Sequence, residues 1–326
     1  MPPKGFTLAR TFAPGRARPP EACSSARPIG HRDSFLPTSL FRTGAARPAL
    51  PPPRWWQRGY PLARGIKAAA PVLFRLAAWL CIALCASLGH AKPADDIDRW
   101  GKPEGDYLVI GDAWVHCDRR AKCGGWAMVK IAKGSLHAAA DRVNQKFHIE
   151  PRIPAIFRSG AEDYRGQDEF DIGHLWEWAA ARSQTAAEAT ENYANAAPQN
   201  KVLNRGDWRT IVEQQSRNLS EHADVWIITG TAFASRADKH GNLTIRTIGP
   251  HQVWVPTYFW KVELPVYPDQ KLPSKLYGWL AKNERPPADM LPAEYCVPVK
   301  EIEEISTYEF FNKLPPGVAE VLKGGR

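Results

Sequence analysis

The 326-residue chain is predicted to fold as an α+β protein. Three observations predict it: five short stretches carry apolar alternation or β-branched enrichment, two carry helical periodicity, and the two kinds do not alternate as regular strand-helix-strand units. No repeat of fixed period is present. With 44% hydrophobic and 24% charged residues, the composition excludes collagen-like, fully disordered and multi-span membrane classes.

Taken in order, residues 1–70 are rich in Arg, Pro, Ala and Gly, with runs such as Pro51-Pro52-Pro53. They hold too few periodic apolar residues to enclose a core, and read as a disordered leader or as an upstream stretch that is not translated. Residues 71–91 have the pattern of a secretory signal peptide: Arg75, an uncharged run from Leu76 to Gly89, and the small-residue ending Gly89-His90-Ala91. Fourteen residues rise only about 21 Å as a helix, short of a hydrocarbon layer of roughly 30 Å. An uncleaved anchor and a buried core helix are the competing readings. Cleavage after Ala91 leaves no membrane span and a secreted or periplasmic protein, residues 92–326, of a size usual for one domain. The formal charge of +9 belongs to the leader, because residues 1–91 carry 13 Lys/Arg against 2 Asp/Glu and the remainder 30 against 32. A net basic working domain is thereby excluded, although a local basic cleft is not.

In that remainder, strands are predicted at 107–110, 126–131, 225–229, 243–248 and 253–264. Helical periodicity is best at 206–219, where Trp208, Ile211, Val212, Gln215 and Leu219 fall close to one face. A second helix is expected around 179–193. A third is expected to start near Thr307, where Ser306-Thr307 offers a cap before Phe310, Phe311 and Leu314. Cys117 and Cys123 flank a turn-like DRRAK stretch and are the expected disulfide in an oxidising compartment, leaving Cys296 over. No CxxC or His-x-x-x-His spacing supports a zinc site.

Residues 170–217 are densest in groups able to do chemistry. Asp171-Ile172-Gly173-His174 places a histidine, the side chain best suited to take a proton near neutral pH, directly after a glycine that permits close approach. Asn204 stands near the start of the amphipathic helix. It reads either as an N-cap or as a neutral oxygen ligand for a divalent cation that keeps most of its waters. Glu213 and Arg217, four apart, read either as a solvated ion pair or as groups that hold a metal's waters and neutralise phosphate.

Together these residues resemble the DNA/RNA non-specific endonuclease family, the ββα-metal nucleases. The family's Asp-Arg-Gly-His signature resembles Asp171-Ile172-Gly173-His174. Its Asn-x-x-Pro-Gln and Leu-Asn-x-Gly-x-Trp segments are similar to Asn195 to Gln199 and Leu203 to Trp208. Further similarity lies in Ile227 to Phe233, in Val253 to Lys261, and in Val297 to Leu314. The resemblance implies a central antiparallel sheet flanked by helices and a magnesium-dependent hydrolysis of DNA and RNA phosphodiesters to 5′-phosphate products, with manganese as an alternative ion. It implies His174 as general base, Asn204 as metal ligand, Asp171 as a group positioning the His174 loop, and Asn195 as a hydrogen-bonding neighbour of the site.

Ile172 replaces the signature arginine. Glu213 and Arg217 fall one residue later than their family counterparts, a rotation of about 100° on a regular helix. For the family's upstream arginine, Arg142 is preferred to Arg152. Export fits an indiscriminate nuclease, which is safe only away from the genome. The alternatives are a catalytically impaired nuclease fold that binds nucleic acid or a protein partner, and a phosphodiesterase for another exported substrate. A homodimer is compatible with the sequence, which identifies no inhibitor protein.

Overall fold

A computed structural model describes residues 96–136, 146–234, 236–237 and 243–324. The leader, the signal segment and Arg142 lie outside the described residues. The principal strands are β1 (Leu108–Ile110), β2 (Ala113–Asp118), β3 (Cys123–Ile131), β4 (Phe170–His174), β5 (Ala196–Asn200), β6 (Asp224–Ala232), β7 (Tyr258–Val266) and β8 (Tyr277–Lys282). Six of them make one antiparallel sheet in the order β1-β2-β3-β6-β7-β8, while β4 and β5 pair as a separate ribbon. The longer helices among the described residues are α1 (Gln184–Thr190), α2 (201–220), α3 (Val299–Ser306) and α4 (Pro316–Gly324).

Both faces of the sheet are covered, which explains why its central strands read as nearly unbroken apolar runs. Along β6, Val225 and Ile227 point into one core while Trp226 and Ile228 point into the other. The first core is closed by α2 through Leu203, Trp208, Val212 and Leu219. The second is closed by α3 and the segment after it, through Val299, Ile302, Phe310, Phe311 and Leu314. All nine residues of β7 are buried. By alternation Lys261 and Glu263 share the face of Phe259, beneath α2, and this puts two charged side chains under the site.

The predicted strand at 107–110 overlaps β1 but starts one residue early, and those at 126–131 and 225–229 fall within β3 and β6. The stretch 243–248 forms two two-residue strands, and 253–264 breaks between Val253–Trp254 and β7. Pro256, which has no N–H to donate, lies in the break. Ser306-Thr307 ends a helix rather than starting one. Thr307 is left-handed at φ 62° and its N–H donates to the Glu303 carbonyl, closing α3, while Phe310 and Phe311 bury themselves from a loop. The expected Cys117–Cys123 disulfide is also corrected. Both are buried free thiols, and of the three cysteines among the described residues it is Cys296 that is disulfide-bonded. In the β2–β3 ladder Cys117 faces Gly124 and Cys123 faces Asp118, so the two are not opposed. Burial, with help from Asp118, pushes the Cys117 thiol up to about 12. Among the described residues no helix is long and apolar enough to cross a membrane.

Candidate active site

The ribbon β4–β5 and helix α2 meet over the first core and enclose a cavity of about 690 Å³. β4 delivers Asp171, Ile172 and His174 to it, and α2 delivers Asn204, Arg205, Arg209, Glu213 and Arg217. Gly173 lets the two ribbon strands close. A Cβ there would lie 2.5 Å from the Gln199 Cβ, far inside van der Waals contact.

The cap at the start of α2 is Asn200, whose side-chain oxygen accepts from the N–H groups of Val202 and Leu203 at 3.0 and 3.4 Å. Asn204 therefore does not cap the helix, and its backbone is already helical at φ −57°, ψ −47°. Its amide nitrogen donates to Asp171 Oδ2 at 3.1 Å, and among the described residues its amide oxygen accepts no hydrogen bond. Arg205 clamps the same carboxylate with two bonds, at 2.8 and 2.6 Å. Partial burial pushes the Asp171 carboxyl upward, but the bonds from Arg205 and Asn204 outweigh it and hold the group below the usual carboxylate range.

The one-residue offset of Glu213 and Arg217 has a local solution. Over Asn204–Glu213 the helix winds wide, in π fashion, with a kink at Gly206 (φ −97°, ψ −115°). Such a bulge absorbs one extra residue. Trp208 stays in the core, at 5.9 Å from Phe259, while Glu213 and Arg217 still reach the cavity.

His174 keeps only a small exposed part. Its Nε2 is shut from solvent without a hydrogen bond and lies 3.5 Å from the Glu191 carboxylate, and its ring packs on Phe147 at 4.9 Å. Beneath it runs a buried charge network. Lys261 Nζ lies 3.3 Å from each Glu177 oxygen and donates to Ser216 at 3.1 Å. Ser216 in turn bonds Glu263, which also accepts from Trp279 Nε1 at 2.9 Å. Arg217 Nη1 sits 3.9 Å from Glu177 and 4.0 Å from Glu213. Burial and the neighbouring Glu177 charge raise the Glu213 carboxyl above its usual range against the pull of Lys261, Arg217 and Arg209.

The structure thus brings His174, Asp171, Asn204, Glu213 and Arg217 to one cavity. Asn195 is not on its wall. Fully buried, it gives its amide to the carbonyls of Trp176 and Thr190 at 2.9 and 3.0 Å and accepts from Trp176 N–H at 2.9 Å, pinning the chain after His174. Arg152, the less favoured arginine, is bound to Glu150 at 2.6 Å and is also absent from the wall. Sequence reasoning missed Glu177, Glu191 and Arg209, and left Lys261 without a role. The only available signal was a Glu three residues after His174 and a Lys inside an otherwise apolar strand.

A histidine with a shielded ring nitrogen, an amide oxygen that accepts no hydrogen bond among the described residues and three arginines share one cleft, a set suited to phosphodiesters. The profile of the DNA/RNA non-specific endonuclease family matches residues 104–317, and the chain belongs to that family. It is a family of metal-dependent nucleases, so the chain is a hydrolase acting on nucleic acids with the ββα-metal fold.

The chain is 29% identical to mitochondrial endonuclease G of Bos taurus over 77% of this chain and 85% of that one. It is 30% identical to the human protein of that name over 65% and 71%, and 29% identical to nuclease C1 of Cunninghamella echinulata var. echinulata over 68% and 89%. A solved EndoG/EndoGI complex, described as showing the mechanism of EndoG inhibition, superposes with a TM-score of 0.63 at 26% identity, covering 69% of this chain and 94% of that one. The endonuclease G and nuclease EXOG relatives are mitochondrial by name, which overturns the expectation of a secreted or periplasmic protein. The physical reason is that an Arg-rich, acid-poor leader is equally the composition of an organellar transit peptide.

Proposed function

We propose that the protein is a magnesium-dependent, sugar-non-specific endonuclease that hydrolyses DNA and RNA to 5′-phosphate products, with His174 as general base and Asn204 as the protein ligand of the ion. The observation that carries this reading is the placement of His174. Its Nε2 is buried beside Glu191, so a proton held there leaves the Nδ1 lone pair for a water in the cavity. Glu191 then stabilises the imidazolium once that water's proton is taken.

The donor set suits a hydrated hard cation. Asn204 spends its N–H on Asp171 and keeps a neutral oxygen, as expected for an ion that dehydrates reluctantly and takes few protein ligands. Asp171, kept ionised by Arg205, holds that amide in orientation. Manganese fits the same oxygen set. When bound, the ion supplies positive charge against the crowded phosphorus and the departing 3′ oxygen. Arg217 lines the same cavity and brings a fixed positive charge toward phosphate oxygens there.

The test is cleavage of plasmid DNA and of RNA by the purified protein with Mg²⁺, with and without chelator, beside His174→Ala. Loss with chelator, and a fall of roughly 10² to 10⁴ in the variant, are expected for an essential general base. Intact polynucleotides under every divalent metal, or full activity in the variant, contradict the proposal.

A further inference from the structure

The cavity wall holds three arginines, and two of them are already engaged. Arg205 is doubly bonded to Asp171, and Arg217 lies between Glu177 and Glu213. Arg209 lines the same cavity, is exposed, and among the described residues its guanidinium has no hydrogen bond and no ion pair. It stands four residues from each of Arg205 and Glu213, and all three line the cavity. Its charge is near enough to act on Glu213.

We infer that Arg209 binds the phosphate next to the scissile one and so sets how strongly the enzyme grips a polynucleotide. This rests on the nuclease reading of the cavity. The deeper, half-buried Arg217 serves the reacting phosphate. Arg209, exposed at the rim, meets the neighbouring link of the chain, where contact is equal in the ground and transition states.

The test is steady-state cleavage of duplex DNA by the full chain, in a salt series, comparing wild type, Arg209→Ala and Arg209→Lys. Lys313→Ala serves as a control, since Lys313 pairs with Asp98 at 2.7 Å and is not on the cavity wall. For Arg209→Ala, KM should rise roughly tenfold with kcat little changed, as for loss of one charge-assisted phosphate contact. The dependence of log KM on log salt should become shallower by about 1. Arg209→Lys should keep the salt dependence and recover only part of KM, because it retains charge but not the two-pronged geometry. The control should match wild type. An unchanged KM and salt slope in Arg209→Ala, or a fall in kcat with KM unchanged, overturns the inference. A wild-type protein that cleaves nothing would instead fail the nuclease reading, a separate and recognisable outcome.

Discussion

Replacing Lys261 by Met keeps the aliphatic stem in its buried slot and deletes the ammonium. Lys261 has no exposed surface, and Glu177, itself 5% exposed, loses a partner 3.3 Å from both its oxygens. Arg217, at 3.9 Å, is the remaining cation beside Glu177. Removing one member of a buried pair costs about 3–5 kcal/mol, because the other charge stays behind in a poor solvent. For a chain of this size each kcal/mol moves Tm by about 2–4 °C, so the variant should melt roughly 6 to 20 °C lower.

Burial already lifts the Glu213 and Glu263 carboxyls, and Lys261 opposes that lift. Groups with raised folded-state pKa lose stability as the pH climbs through it, so the deficit should be larger at about pH 8 than at about pH 5. Urea and thermal unfolding of wild type, Lys261→Met and Lys261→Met/Glu177→Gln measure this, and the double variant should lie nearer wild type than the single one. A single-variant loss under about 1 kcal/mol, or a double variant no more stable than Lys261→Met, would refute the reasoning.

Gly173→Ala would press a methyl group into Gln199, part β4 from β5 and shift His174. A cost of about 1–3 kcal/mol is expected from such overpacking, with at least a tenfold loss of cleavage, read by unfolding and kinetics together. Unchanged activity would mean that the ribbon does not position the histidine. Arg205→Ala should release Asp171 from its depressed pKa. The Asp171 contribution is present above the unfolded pKa and lost as pH falls through the folded one. The wild-type protein should therefore be the more stable at neutral pH, and the gap should close in acid, as urea midpoints across that range would show; a gap independent of pH counts against the pair.

Much of the fold was legible because β3 and β6 are nearly continuous apolar runs and α2 carries its burial in its own periodicity. Strand β2 alternates buried and half-buried positions just as plainly, yet it is short and abuts a charged turn, and β8 lies at the sheet edge. The end of α3 was misread because Ser306-Thr307 suits either end of a helix. Only the left-handed Thr307 and the buried Phe310 and Phe311 decide which. At the site, His174 and Asn204 were readable from motif spacing, whereas the roles of Asn200 and Asn195 were not. An asparagine's side chain serves caps, backbone pins and ligands alike, and only partners distinguish them. The Glu177–Lys261 pair joins residues 84 apart in sequence, which local pattern does not reveal. The offset of Glu213 and Arg217 was visible, but its remedy, the wide turn at Gly206, is a property of the folded backbone.

The central claim is that Asn204 holds the ion while His174 handles the proton in the same cavity. Calorimetric titration of Mg²⁺ into wild type, Asn204→Ala and His174→Ala, with cleavage assayed on the same samples, separates the two roles. Wild type should bind and cleave, His174→Ala should bind without cleaving, and Asn204→Ala should do neither. Wild-type metal binding in Asn204→Ala, or its loss in His174→Ala, would contradict the account.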